Sequence, residues 1–191
     1  MKGYAAELEK SESVAGIVNT SSSLIPYTTL PVSKTVFPRD IQNALDSVSV
    51  GSVKGPYLNA SDNTYNVIKL IATTQAPDSV QYRAINCANV SLDAAKNTAD
   101  SIIKAVAAGA KFEDIAKKYN QPAESQWLTA AQYEGQNLDA DNTKFIKAIL
   151  NGTPNAVQKV DLAQNVVVIE VLARRAMATK YDAAVIKRTI D

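Results

Sequence analysis

The chain has 191 residues, of which 46% are apolar and 20% charged, and a net charge of +1; that is enough core for one large domain or two small ones, and no charge excess that would favour nucleic acid or an anionic membrane. It has no histidine and a single cysteine, Cys87, which excludes an internal disulfide, a Ser-His or Cys-His catalytic pair and a His-ligated metal, and leaves Cys87 to be read as a buried, inert strand thiol. No apolar run approaches the roughly 20 residues needed to cross a bilayer, and the opening MKGYAAELEK is polar, with no signal-peptide apolar region.

In chain order, residues 4–10 read as a short helix. VAGIVNTSSSLIPYTTLPVSKTVF carries polar punctuation between short apolar runs and reads as an irregular strand and a loop. In PRDIQNALDSV, Pro38 suits a first helical position, and Ile41, Ala44, Leu45 and Val48 recur at helical spacing until Gly51 stops the helix. SVKGPYL and TYNVIKLIAT flank the turn-forming NASDN and predict a hairpin. APDSV then reads as a linker with a turn at Pro77-Asp78.

VQYRAINCANV reads as a strand, and Ser91 as the N-cap of a helix over Leu92–Ala108, with Ala95, Ala99, Ile102 and Val106 on one face. After Gly109, Phe112, Ile115, Ala116 and Tyr119 give a second short helix its apolar face. ESQWLTAAQY predicts a short strand and turn, and NTKFIKAILNG a third helix. NAVQKVDLA and NVVVIEVLAR form a second hairpin, turning near Gln164-Asn165. The closing KYDAAVIKRTID does not decide between helix and strand.

The two hairpins align. Val53 matches Val157, Leu58 matches Leu162, and Val67, Ile68 and Leu70 match Val168, Ile169 and Val171. DIQNAL upstream matches FIKAIL, and the second copy is three residues shorter across its turn. The chain thus reads as one unit built twice, the first copy lacking the strand and long helix that open the second.

The order strand, long helix, short helix, strand, helix, hairpin over residues 82–190 resembles the parvulin (PpiC-type) domain of peptidyl-prolyl isomerases. The residues that carry the likeness are YRAI, ADSIIKAVAAGAKFEDIAKKYN, QWLTAAQYEG and VVVIEVLAR. The stretch GPY…Y.VIKL…PDSVQYRAI is similar to the junction region of PpiD/SurA-like periplasmic folding factors of Bacteroidetes type. The resemblance implies an α+β fold, with a small, mostly antiparallel four-stranded sheet packed with helices. A parvulin-like domain would occupy residues 81–191 and a shortened or truncated parvulin-like unit residues 1–80. It also implies that the chain is an internal fragment of a periplasmic protein held at the inner membrane by an anchor lying outside the fragment. The implied partners are unfolded or extended polypeptide clients, without nucleic acid, cofactor or metal.

The family twists an X-Pro bond whose planarity is protected by a barrier of roughly 18–20 kcal/mol. It does so by binding the twisted state preferentially, with a polar cluster anchored by two histidines on adjacent strands. Here the first histidine position is Ala84 and the second Val167; the corresponding position in the first copy is Asn66. The Ser or Thr after the second helix is Asn120, and the glycine-rich run before the tryptophan reads AESQ. Ala84 and Val167 are expected side by side as an apolar cross-strand pair. Trp127, Tyr133 and Phe145 lie on the segments that form the family's proline groove. Three functions fit these residues: a noncatalytic chaperone, peptide-binding or scaffold module for secreted or outer-membrane clients, an active divergent isomerase, and a structural spacer or self-association module.

Overall fold

A computed structural model describes residues 1–190. Six α-helices accompany an antiparallel sheet, as an α+β fold requires: α1 (Lys2–Lys10), α2 (Val14–Thr20), α3 (Arg39–Leu45), α4 (Leu92–Ala107), α5 (Phe112–Lys118) and α6 (Ala140–Asn151). The strands are β1 (Val53–Asn59), β2 (Thr64–Asn86), β3 (Gln126–Thr129), β4 (Ala156–Asp161) and β5 (Val166–Thr189), in the sheet order β1-β2-β5-β4, with β3 also on β2. The chain divides into two compact units, neither a single run of sequence. One holds Met1–Gln75, Tyr133–Leu138 and the chain from Ala178; the other holds Ala76–Gln132 and Asp139–Met177. β2 and β5 each contribute to both.

In the second unit the sheet order is β3-β2-β5-β4. On one face Ala95, Ala99 and Ile102 of α4 and Phe112, Ile115 and Ala116 of α5 pack against Ile85, Cys87, Val166 and Val168. Ser91 caps α4, its Oγ accepting from the Ala94 amide at 3.1 Å. Asp139 caps α6 by accepting from the Asn142 amide at 2.7 Å. Gln158 ties α6 to β4 by donating to the Ala148 carbonyl at 2.9 Å.

In the first unit both sheet faces are covered. Ile41, Ala44 and Leu45 of α3 pack on Ile68, Leu70, Ala183 and Val185. Leu8 of α1 and Val14 and Val18 of α2 pack on Val67, Ala184 and Ile186. Lys69 donates from Nζ to the carbonyls of Leu8 (2.7 Å) and Ser11 (2.9 Å), a cation at the negative end of α1. The segment Tyr133–Leu138 is anchored in this unit by Glu134, whose carboxylate accepts from Lys180 Nζ at 2.6 Å and from the Ser33 amide and hydroxyl. Both partners are buried, Lys180 at 3% exposure and Glu134 at 7%.

Three expectations change. Val14–Thr20 is a helix, because Val14 and Val18 fall one turn apart and bury together. APDSV is not a linker but the middle of β2. Pro77 lies in the stretch between the last β1 pair, at Lys69, and the first β3 pair, at Ser79. The closing stretch is strand: Ala183 to Lys187 are all buried, so the alternation that marks a strand is erased.

The hairpins correspond in register as well as in sequence. Val53 pairs with Lys69, and Val157 with Glu170, the matched residues of the two copies. The three extra residues of the first copy lie in its arms, not its turn. Four residues separate the last pairs in both copies, Asn59↔Thr64 and Asp161↔Val166, while the first hairpin has longer strands and a bulge between Lys54 and Tyr57. Gly55 sits in that bulge at φ +112°, where a Cβ would come within 2.5 Å of the Asn66 carbonyl oxygen, so only glycine fits.

Removing one partner of a buried ion pair is costly because the other charge stays desolvated. Glu134→Ala should lower the unfolding free energy by about 3–5 kcal/mol, read as a fall in the urea midpoint. An unchanged midpoint would show that Glu134 does not anchor its segment.

Candidate functional site

The register of β2 against β5 decides how Ala84 and Val167, the two positions expected to form a cross-strand pair, stand to one another. The Cys87 amide donates to the Val166 carbonyl at 2.9 Å. Counting back from that pair sets Ile85 opposite Val168, Arg83 opposite Glu170, Ala84 opposite Ile169 and Asn86 opposite Val167. The packing agrees: Ile85, Cys87, Val166 and Val168 share one cluster, and Arg83 acts electrostatically on Glu170. Ala84 and Val167 therefore share a sheet face but are offset by two positions, a diagonal relation at about 7–8 Å rather than the direct pair expected from the sequence. Between them lies Ile169, fully buried, and Val167 is 8% exposed; the same face also carries Asn86, opposite Val167, and Gln158, which pairs with Ile169 and donates to the Ala148 carbonyl.

Of the three groove candidates, the structure brings one to this face. Phe145 on α6 meets the ring of Tyr82 edge-on, with centroids 6.1 Å apart. Tyr82 is two residues from Ala84 and so points to the same side. Trp127 pairs directly with Gln81 across β3 and β2, which sets it on the opposite side. It is 39% exposed, and the Arg175 guanidinium lies 4.0 Å from its ring centre, a cation–π contact. Tyr133 belongs to the other compact unit, in the segment that Glu134 anchors.

Asn120 has a backbone role. It sits at φ +54° just past α5, its amide bonds the Lys117 carbonyl, and the next amide, Gln121, bonds Ala116. That is a Schellman closure, in which asparagine is one of the few residues other than glycine to accept the left-handed conformation.

Sequence reasoning missed a polar group on the opposite face, because it treated Arg83 only as part of a motif. Arg83 is paired to Glu113 and donates to the Ala123 carbonyl at 3.4 Å. The hydrogen bond from Arg83, and then its charge, hold the Glu113 carboxyl below the usual range. Half-buried Glu170 behaves oppositely: burial pushes it up and Glu113 adds to the rise, with Arg83 offsetting only part. The period-2 alternation of YRAI already set Arg83 on the side away from Ala84; its acidic neighbours became visible only through the fold.

The first-copy counterpart of Val167, Asn66, is fully buried, and its Nδ2 donates to Thr64 at 3.2 Å. It faces Tyr57, whose hydroxyl is pushed up to about 12 by burial and by Asp40 and Asp62. Burial works against charge on the neighbouring Lys187, but the hydrogen bonds and charges of Asp40 and Asp62 outweigh it and raise its pKa. A charged lock thus closes the first unit at this point. Cys87 is 3% exposed and burial raises its thiol, so it is core. Among the described residues there is no group of three or more acidic or cysteine ligands that could hold a metal, and no helix long and apolar enough to cross a membrane.

Two helices on one face, one on the other and the sheet order β3-β2-β5-β4 define a domain of the prolyl isomerase class. Residues 65–175 match the PPIC-type PPIASE domain, and the chain belongs to that family, the parvulin-type peptidyl-prolyl isomerases. No curated protein and no solved structure matches the chain.

The two glutamates should separate in a carboxyl-resolved NMR titration, Glu113 below the ordinary glutamate range and Glu170 above it. Because its folded pKa is raised, Glu170 contributes stability that is fully present below the ordinary glutamate pKa and is lost as pH rises through the folded value. Glu170→Gln should flatten that part of the stability–pH curve; an unaltered curve would contradict the assignment.

Proposed function

We propose that this chain is a folding-factor module of the PPIC family whose isomerase chemistry has degenerated, and that it holds extended or unfolded polypeptide as a chaperone or scaffold domain. The single observation behind this is the composition of the Ala84 face. The positions where relatives carry imidazoles hold a methyl and an isopropyl group, with Ile169 between them. Neither of those two side chains can hydrogen-bond a rotating imide, so preferential binding of the twisted state lacks the polar groups that relatives place there. Half-buried Phe145, which meets the buried Tyr82 ring edge-on, supplies apolar contact suited to a proline-containing or aromatic-rich segment.

The likeness of GPY…Y.VIKL…PDSVQYRAI to the junction of PpiD/SurA-like factors supports a client set of secreted or outer-membrane proteins, a periplasmic setting and an anchor elsewhere in a longer chain. The matched registers of the two hairpins support reading the first 80 residues as a shortened copy of the same unit.

The test is refolding of a client limited by proline isomerisation. The chain at stoichiometric amounts should reduce aggregation several-fold while leaving the slow refolding phase unchanged. Acceleration of that phase would establish the divergent isomerase instead, and neither effect would leave a structural spacer.

A further inference from the structure

On the sheet face away from Ala84 and Val167, a cleft of about 230 Å³ opens at the corner between α4 and α5. Its floor is a row across three strands, Arg83 on β2, Glu170 on β5 and Val157 on β4, the last two directly paired. Val106 and Ala110 of the α4 end and Phe112 of α5 make apolar walls. Two floor atoms are buried without a hydrogen-bond partner: Arg83 Nε, a donor, and Glu170 Oε2, an acceptor. Buried polar atoms are nearly always satisfied, so an orphan of each kind on two residues that line one cleft marks a place for a group that supplies both complements. The volume is several times what one water occupies.

The surroundings select the group. An anionic ligand would meet Glu170 and Glu113, and a cationic one Arg83 and Lys111, all four lining the cleft. A hydrocarbon would leave both orphans desolvated. A neutral primary carboxamide carries an acceptor oxygen and donor N–H groups side by side. We propose that this cleft is a binding site for a side-chain carboxamide, the oxygen accepting from Arg83 Nε–H and the NH₂ donating to Glu170 Oε2, with the stem against Val106, Phe112 and Val157. A wider trough of about 760 Å³, lined by the same Arg83 and Glu113 and by Pro122 and Ser125, adjoins it and leaves room for the polypeptide that bears the side chain. The site lies on the opposite face from the proline groove and goes beyond the function proposed above; carboxamide capture does not depend on that function.

The probe is N-acetyl-glutamine N-methylamide, titrated into the ¹⁵N-labelled chain, with the methionine and glutamate analogues as controls. The glutamine probe should shift the amides of Ala110, Asn155, Val157 and Glu170 saturably, and both analogues should bind at least about tenfold more weakly. Ala110→Trp, at an exposed rim position, should abolish the response while leaving the rest of the spectrum and the unfolding midpoint unchanged. Glu170→Met, which removes the acceptor without emptying the space, should erase the preference for glutamine over methionine. Equal binding of the glutamine and methionine probes to the unsubstituted chain, no saturable shift at these amides, or shifts indifferent to Ala110→Trp would each overturn the site. Because the probe is a single blocked residue, such a failure says nothing against polypeptide binding at the Ala84 face.

Discussion

The pairing of β2 with β5 is the interaction on which everything else depends. Each strand serves both compact units, and each residue along it is committed to one face by the alternation of the pleat. The bond from the Cys87 amide to the Val166 carbonyl fixes that commitment in the second unit. It sends Ala84, Val167 and Ile169 to the α6 side, and Arg83 and Glu170 to the side of α4 and α5. A slip of one residue would exchange the two sets, burying the charges among the Ile146–Ile149 side chains of α6 and exposing the core. Packing on both faces therefore holds the register, and the register determines the chemistry each face presents.

That chemistry is unequal. The α6 face carries Ala84, Val167 and Ile169 beside the Tyr82–Phe145 pair and no charged group among these residues. The other face keeps an arginine between two carboxylates of opposite behaviour, Glu113 held ionised by its hydrogen bond and Glu170 reluctant to ionise because it is desolvated. The first unit seals the matching location with Lys187 between Asp40 and Asp62.

How much of this the sequence disclosed depended on whether each element had a wet side. α3, α4 and α5 each bury one stripe, and their apolar positions were legible at helical spacing. Both hairpins were legible from their turn residues, and the parvulin order from the succession of elements. The end of β5 was not, since buried residues on both faces leave no period to detect. APDSV misled because proline and aspartate read as a turn, whereas β2 runs through them between its β1 and β3 pairs. Ala84 and Val167 were singled out by the resemblance, but their offset was not legible, because cross-strand register is absent from a one-dimensional pattern. Trp127 and Tyr133 were grouped with Phe145 by motif position, whereas strand parity turns Trp127 to the other face and Glu134 holds the Tyr133 segment in the first unit.

The central claim is that hydrocarbon at the two family positions leaves a surface able to hold a chain but not to ease rotation about its imide bond. Exchange NMR on a short proline peptide that contains an aromatic residue measures both properties in one sample. The account predicts broadened, shifted peptide resonances on addition of the protein, with the cis–trans exchange rate equal to that of free peptide. A clear catalytic rise in exchange, retained when Phe145 is intact and lost in Phe145→Ala, would contradict it.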